Sequence, residues 1–242
     1  MNNVTVGIFT DTHANLHALR AVLEYFRSIK CDHICHLGDC VCMGAFPAEC
    51  MQILLRSDII SVRGNHDNDY LLNSTAKKGN SHVIPEHKER TFFLAGDSFK
   101  KDIEALPYIR YATWFGRTFC FTHYARYYDE LMGREKFYTI EEHASPARLD
   151  EMFSYVRAEA VFYGHKHSPS LDWGKRLYMD VGSLACHRGA YARGAVLRVY
   201  ENSAYSIERI SVPYDRNSAL SSMAERDIPG MDEMEKYYYA GD

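Results

Sequence analysis

Residues 4–15 read Val-Thr-Val-Gly-Ile-Phe-Thr-Asp-Thr-His-Ala-Asn. The run Val4 to Phe9 is β-branched and apolar enough for a buried strand, and just beyond it stand Asp11 and His13. From Asn15 to Ile29, Leu16, Leu19, Val22, Leu23 and Phe26 then recur at helical spacing. The pattern repeats: His33 to Leu37 is strand-like, Pro47 opens a helix ending near Arg56, and Ile59 to Val62 is a third strand. Strand, helix, strand, helix, strand predicts parallel pairing with right-handed crossovers.

Further along, Asp67 to Leu106 is polar and helical, the pattern of an insertion or a helical flank. Strand-like runs return at Thr118–Thr122, Ala160–Tyr163, Arg176–Met179, Gly194–Tyr200 and Tyr205–Val212, the last three close enough to pair antiparallel. Two mixed sheets face to face with helices outside, a four-layer α/β/β/α sandwich, accommodate both halves. The expected division is one domain over 1–215 and an acidic, Tyr-rich extension over 216–242 that packs on the domain or on a partner.

With 242 residues, 46% hydrophobic and 25% charged, the chain can bury a sizeable core, which excludes disordered, collagen-like and disulfide-scaffold classes. Its net charge of −4 sits entirely between Glu225 and Asp242, where six acids face two bases. The balanced remainder offers no basic face for duplex nucleic acid or an anionic membrane. The start lacks a signal-peptide pattern, and no run is long enough for a membrane span, so a cytoplasmic location is expected. Seven cysteines are expected to be reduced thiols. Tyr237 to Tyr239 read as a docking or dimer contact, compatible with a homo-oligomer.

Five polar motifs follow predicted strands: Asp11-Thr-His13, Gly38-Asp39, Gly64-Asn65-His66-Asp67, His123, and Gly164-His165-Lys166-His167. The carboxyl ends of strands in open α/β sheets form the crevice where ligands bind. Taken singly, each motif reads equally as a helix cap, an exposed pair or a turn. Together they bring Asp11, His13, Asp39, Asn65, His123, His165 and His167 to one crevice, enough donors for two divalent ions with Asp39 as the natural bridge. Two such ions against two carboxylates leave about +2, a charge suited to a phosphate.

This series of motifs resembles the calcineurin-like metallophosphoesterase superfamily, in particular its small prokaryotic phosphodiesterase branch. Gly182-Ser183 and the stretch Val212 to Asp215 extend the likeness across nearly the whole chain. The resemblance implies one metal on Asp11, His13, Asp39 and His167 and another on Asp39, Asn65, His123 and His165. It further implies His66 as the acid for the leaving oxygen while a metal-bridged hydroxide attacks phosphorus. Nitrogen and oxygen donors without thiolate suit Mn, Fe, Zn or Ni. Asn15, Arg63 and Arg188 are candidate substrate contacts. Ala14, Tyr124 and Val181 depart from the family pattern and bear on substrate choice.

The expected substrate is small and phosphorylated: a phosphodiester, nucleotide or dinucleoside polyphosphate. A Ser/Thr protein phosphatase and a non-catalytic scaffold of the same fold are the alternatives. Cys31, Cys35, Cys40 and Cys42 fit a zinc knuckle poorly and read as core thiols, and Tyr124, Tyr127 and Tyr128 read as packing.

Overall fold

Helix and strand alternate along the chain in the computed structural model, which describes residues 2–76 and 83–239. The first run is β1 (Asn3–Phe9), α1 (Leu16–Ser28), β2 (His33–His36), α2 (Pro47–Leu54), β3 (Ile59–Ser61) and α3 (Asn65–Leu71). After α4 (Pro85–Ala95) and α5 (Lys100–Ala105) come β4 (Ile109–Trp114), β5 (Arg117–Thr122) and the pair β6 (Arg126–Asp129) and β7 (Arg134–Phe137). Then follow α6 (Pro146–Met152), β8 (Ala160–Tyr163), β9 (Ser170–Trp173), β10 (Leu177–Asp180), β11 (Tyr191–Tyr200), β12 (Tyr205–Pro213), α7 (Arg216–Glu225) and α8 (Met231–Tyr238).

The strands form two mixed sheets, ordered β12-β11-β1-β2-β3 and β4-β5-β8-β10-β9, with β6 and β7 paired apart from both. In the first sheet β1, β2 and β3 run parallel, with Val6 opposite His33 and Ile34 opposite Ile59. In the second, β5, β8 and β10 run parallel, while β4 and β9 close the edges antiparallel. β11 and β12 pair antiparallel as expected. The Arg176–Met179 run does not join them. It belongs to the second sheet beside β8, because its alternating apolar residues match that inner face rather than the β11 edge.

Period-two alternation builds the four layers. Val6, Ile8, Leu37 and Leu197 from the first sheet meet Phe119, Phe121, Phe162 and Met179 from the second in a dry middle layer. The outer face of the first sheet buries Leu19, Val22, Leu23 and Phe26 of α1, and the outer face of the second buries Leu149 and Met152 of α6. Gly7 is required where α1 crosses β1, since a Cβ there would lie 2.6 Å from the Phe26 ring. Asn15 starts α1 by accepting a hydrogen bond from the Ala18 amide at 3.0 Å.

The polar stretch after Asp67 contains α4 and α5, whose Phe92, Ala95 and Ile103 join the first core; residues 77–82 of that stretch lie outside the described residues. At the other end, Met223, Ile228, Met234 and Tyr239 enter the same core. Tyr239 is therefore packed inside rather than offered to a partner. All seven cysteines are free thiols, with Cys35, Cys40 and Cys42 buried. Among the described residues no helix is long and apolar enough to cross a membrane.

The middle layer holds Phe162 stacked on Phe121 at 5.5 Å with an interplanar angle of 11°. Phe162→Ala is expected to lower unfolding free energy by about 3–5 kcal/mol through the cavity it leaves, read from the urea midpoint at unchanged slope.

Candidate metal centre

Parallel strands in both sheets end on one side of the molecule, and the loops leaving them carry all seven donors. Asp11 and His13 follow β1, Asp39 follows β2, Asn65 opens α3 after β3, His123 follows β5, and His165 and His167 follow β8. Five of these residues sit in the left-handed backbone region: Asp11 (φ 52°), His13 (φ 46°), Asp39 (φ 58°), His165 (φ 74°) and His167 (φ 63°). Non-glycine residues are uncommon in that region, and a concentration of them in the loops of one crevice points to a functional site.

Asp67 is what fixes one group of these loops. Its Oδ2 accepts from the Asp39 amide at 2.9 Å and from the Gly64 amide at 2.8 Å, and its Oδ1 accepts from the Cys40 amide at 3.0 Å and the Cys40 thiol at 2.9 Å. Gly64 allows the close approach, because a Cβ on it would overlap Asp39 Oδ1. On the other side Asp11 Oδ2 accepts from Thr10 Oγ1 at 2.8 Å and from the His165 amide at 3.0 Å, tying the two sheets together.

The donors gather in two clusters. In the first, Nε2 of His13 lies 3.1 Å from Nε2 of His167, and Asp11 Oδ1 lies 3.6 Å and 3.3 Å from those two nitrogens. In the second, the Asn65 amide oxygen lies 2.9 Å from His123 Nε2, which in turn is 3.2 Å from His165 Nδ1 and 3.3 Å from Asp39 Oδ2. Asp39 belongs to both, grouped with Asp11 and His13 and again with His123 and His165. His13 Nδ1 and His123 Nδ1 sit 3.0 Å and 2.9 Å from the Val41 and Leu37 carbonyls. Donating there leaves each Nε2 lone pair facing the cluster.

These residues fit divalent metal. Asp11 Oδ1 is buried without a hydrogen-bond partner, and the Asn65 oxygen faces only other acceptors. Such a convergence of lone pairs is balanced by positive charge, supplied by protons on the imidazoles or by a metal ion that replaces them. A tetrahedral ion with bonds of about 2.0–2.1 Å holds its donors about 3.3 Å apart, the spacing of the first cluster. Burial pushes the Asp11 carboxyl up, yet charge on His167 and His123 outweighs it and holds the group well below the usual carboxylate range. Burial likewise opposes charge on His123, but Asp39 and Asp11 raise its imidazole to about 9. His66 has no such partner, and burial, reinforced by His13 and Lys88, keeps it well below its ordinary value.

Residues 4–202 match the calcineurin-like phosphoesterase superfamily domain. The chain belongs to this family. As a metallophosphoesterase it is 25% identical over 244 residues to an uncharacterized protein of Methanocaldococcus jannaschii, covering 93% of each chain. Its fold matches a metallophosphoesterase from Sphaerobacter thermophilus with a TM-score of 0.71 at 21% identity, covering 96% of this chain and 98% of that one. A hypothetical protein from Pyrococcus horikoshii matches with a TM-score of 0.74 at 14% identity, over 99% and 100% of the two chains.

The structure gathers all seven predicted donors, and His66 stands beside them, its ring edge-on to His13 at 5.2 Å and its amide donating to Asp39 Oδ1 at 2.8 Å. The three candidate substrate contacts do not share that placement. Asn15 is buried with its oxygen engaged in the α1 cap, and Arg188 is exposed on the loop after β10. Arg63 lies over the Tyr108 ring at 4.3 Å and donates to the Glu104 carbonyl at 3.3 Å. Two residues were missed: Asp67, although it lies inside a quoted motif, and Cys186, whose thiol is grouped with His13 and His167. The first had a signal in its offset of three from Gly64, the spacing of a capping carboxylate.

Asp67→Ala leaves four donors without their acceptor. It is expected to cost about 3 kcal/mol or more in unfolding free energy, measured by urea denaturation, whereas exchanging the exposed Asp58 should change stability by less than about 0.5 kcal/mol.

Proposed function

We propose that the chain is a dinuclear phosphoester hydrolase acting on a phosphodiester, nucleotide or dinucleoside polyphosphate. The observation that carries this reading is the pair of donor clusters with Asp39 common to both. Asp11, His13, Asp39 and His167 would hold one ion, and Asp39, Asn65, His123 and His165 the other. Drawn from Mn, Fe, Zn or Ni, the ions supply Lewis acidity and a lowered pKa for water.

The chain's own residues do the rest. Asp11 and Asp39 provide two carboxylates and Asn65 a neutral oxygen, so the loaded centre keeps a positive surplus that attracts an anionic phosphoryl group. His66 Nδ1 is buried without a hydrogen-bond partner next to His13, which leaves it available to the leaving oxygen. Because burial disfavours its charged form, the proton it would hand over has to be taken up together with the anionic substrate, whose charge offsets that burial. Arg63 and Arg126 each lie over the Tyr108 ring, at 4.3 Å and 4.1 Å, and Tyr108 meets Phe137, which packs on His123 at 5.4 Å. Phe137 beside His123 and His165, with Tyr108 edge-on behind it, gives one half of the centre an aromatic wall suited to a phosphate that carries a flat base.

A metal-loaded preparation should therefore cleave model diesters and nucleotide substrates with a higher kcat/KM than the matching monoester. Preference for a phosphopeptide over both would identify a protein phosphatase instead. Asp39→Asn should abolish turnover and lower metal content at both positions, as read by elemental analysis. Substituting glutamine for His66 should retain metal and lower kcat by about 10²-fold, more for poor leaving groups than for good ones. An equal loss for both would assign His66 to positioning, a role open to a neutral imidazole.

A further inference from the structure

The loop after β10 brings a sulfur to the first cluster. Cys186 is buried, and its Sγ, His13 and His167 offer ligand atoms that all lie within 4.8 Å of one another. Its place is set by the same frame that sets Asp11. The Cys186 amide donates to Ser183 Oγ at 3.0 Å, that hydroxyl donates to the Asp11 carbonyl at 3.1 Å, and the Leu184 amide donates to the Thr10 carbonyl at 2.9 Å. Cys186 Sγ lies 3.6 Å from Met43 Sδ and 3.9 Å from Tyr239 Oη, neither of which is a strong acceptor for the thiol. Independently, Asp11 Oδ1 is buried and unpartnered at 3.3 Å from His167 Nε2.

We propose that Cys186 Sγ is a further ligand of the ion held by Asp11, His13 and His167, giving that position a thiolate that its partner position lacks. The inference rests on the metal-centre reading above. Coordination releases the thiol proton to solvent, so binding at this position consumes base. A soft donor favours zinc, iron(II) or cobalt over manganese, and its presence on one side alone makes the two positions chemically unequal. The sequence pattern hid this, because the motif residues supply only nitrogen and oxygen.

X-ray absorption at the zinc edge of the zinc-loaded full chain tests it. The wild type should give a sulfur contribution at about 2.3 Å that disappears in Cys186→Ala and in Cys186→Ser, with the nitrogen and oxygen shell kept. Cobalt(II) loading should give a sulfur-to-metal charge-transfer band in the wild type and none in either variant. Zinc bound at stoichiometry with only nitrogen and oxygen around it would overturn the role of Cys186 and leave the metal centre standing. A sulfur contribution that survives both substitutions would overturn it too, by assigning the sulfur to another residue. A wild type that binds manganese at stoichiometry but neither zinc nor cobalt would also overturn the role of Cys186, and one that binds none of manganese, iron, cobalt, nickel and zinc at stoichiometry would instead overturn the metal-centre reading itself.

Discussion

The packing of one sheet against the other governs the geometry of the centre, because neither sheet carries a complete set of donors. Asp11, His13, Asp39 and Asn65 leave the first sheet, and His123, His165 and His167 leave the second. Each cluster draws on both. Spacings of 3.1 Å between His13 and His167 and 3.3 Å between Asp39 and His123 therefore depend on how Val6, Ile8, Leu37 and Leu197 of the first sheet pack on Phe119, Phe121, Phe162 and Met179 of the second. Close-packed interiors do not deform smoothly, so a dry aromatic layer is a suitable spacer for a site with sub-ångström tolerance.

Backbone conformation carries the second constraint. Five of the seven donors lie at positive φ, where a non-glycine residue costs about 1–3 kcal/mol that surrounding contacts must offset. Asp67 contributes much of that determination for the Asp39 loop, and the contact of Asp11 Oδ2 with the His165 amide does the same between the sheets. Polar groups that never face substrate thus hold those that do.

The parallel strands were legible because each is a compact apolar run followed by a polar motif, as Val4–Phe9 is followed by Asp11 and His13. The edge strands β4 and β9 were not. Ile109–Trp114 and Ser170–Trp173 are largely part-buried or exposed, so their pattern is diluted by a wet face. β6 and β7 escaped for the same reason. Among candidate site residues, the seven nitrogen and oxygen donors that the fold brings together were legible from type and place, whereas Cys186 acquires its neighbours only through long-range folding: it stands 173 positions after His13 in the chain and within a few ångströms of it in space.

Sheet order also dictates when the centre can come into being. β1, which leads into Asp11 and His13, is flanked by β2 on one side and on the other by β11, with Asn3 opposite Tyr200. A ribosome that has released only the first half of the chain has exposed Asp11, His13, Asp39 and Asn65 with neither that flanking strand nor the three later histidines. Ions caught then would meet loose carboxylates of little selectivity. A complete set of candidate donors therefore exists only when nearly the whole chain has folded.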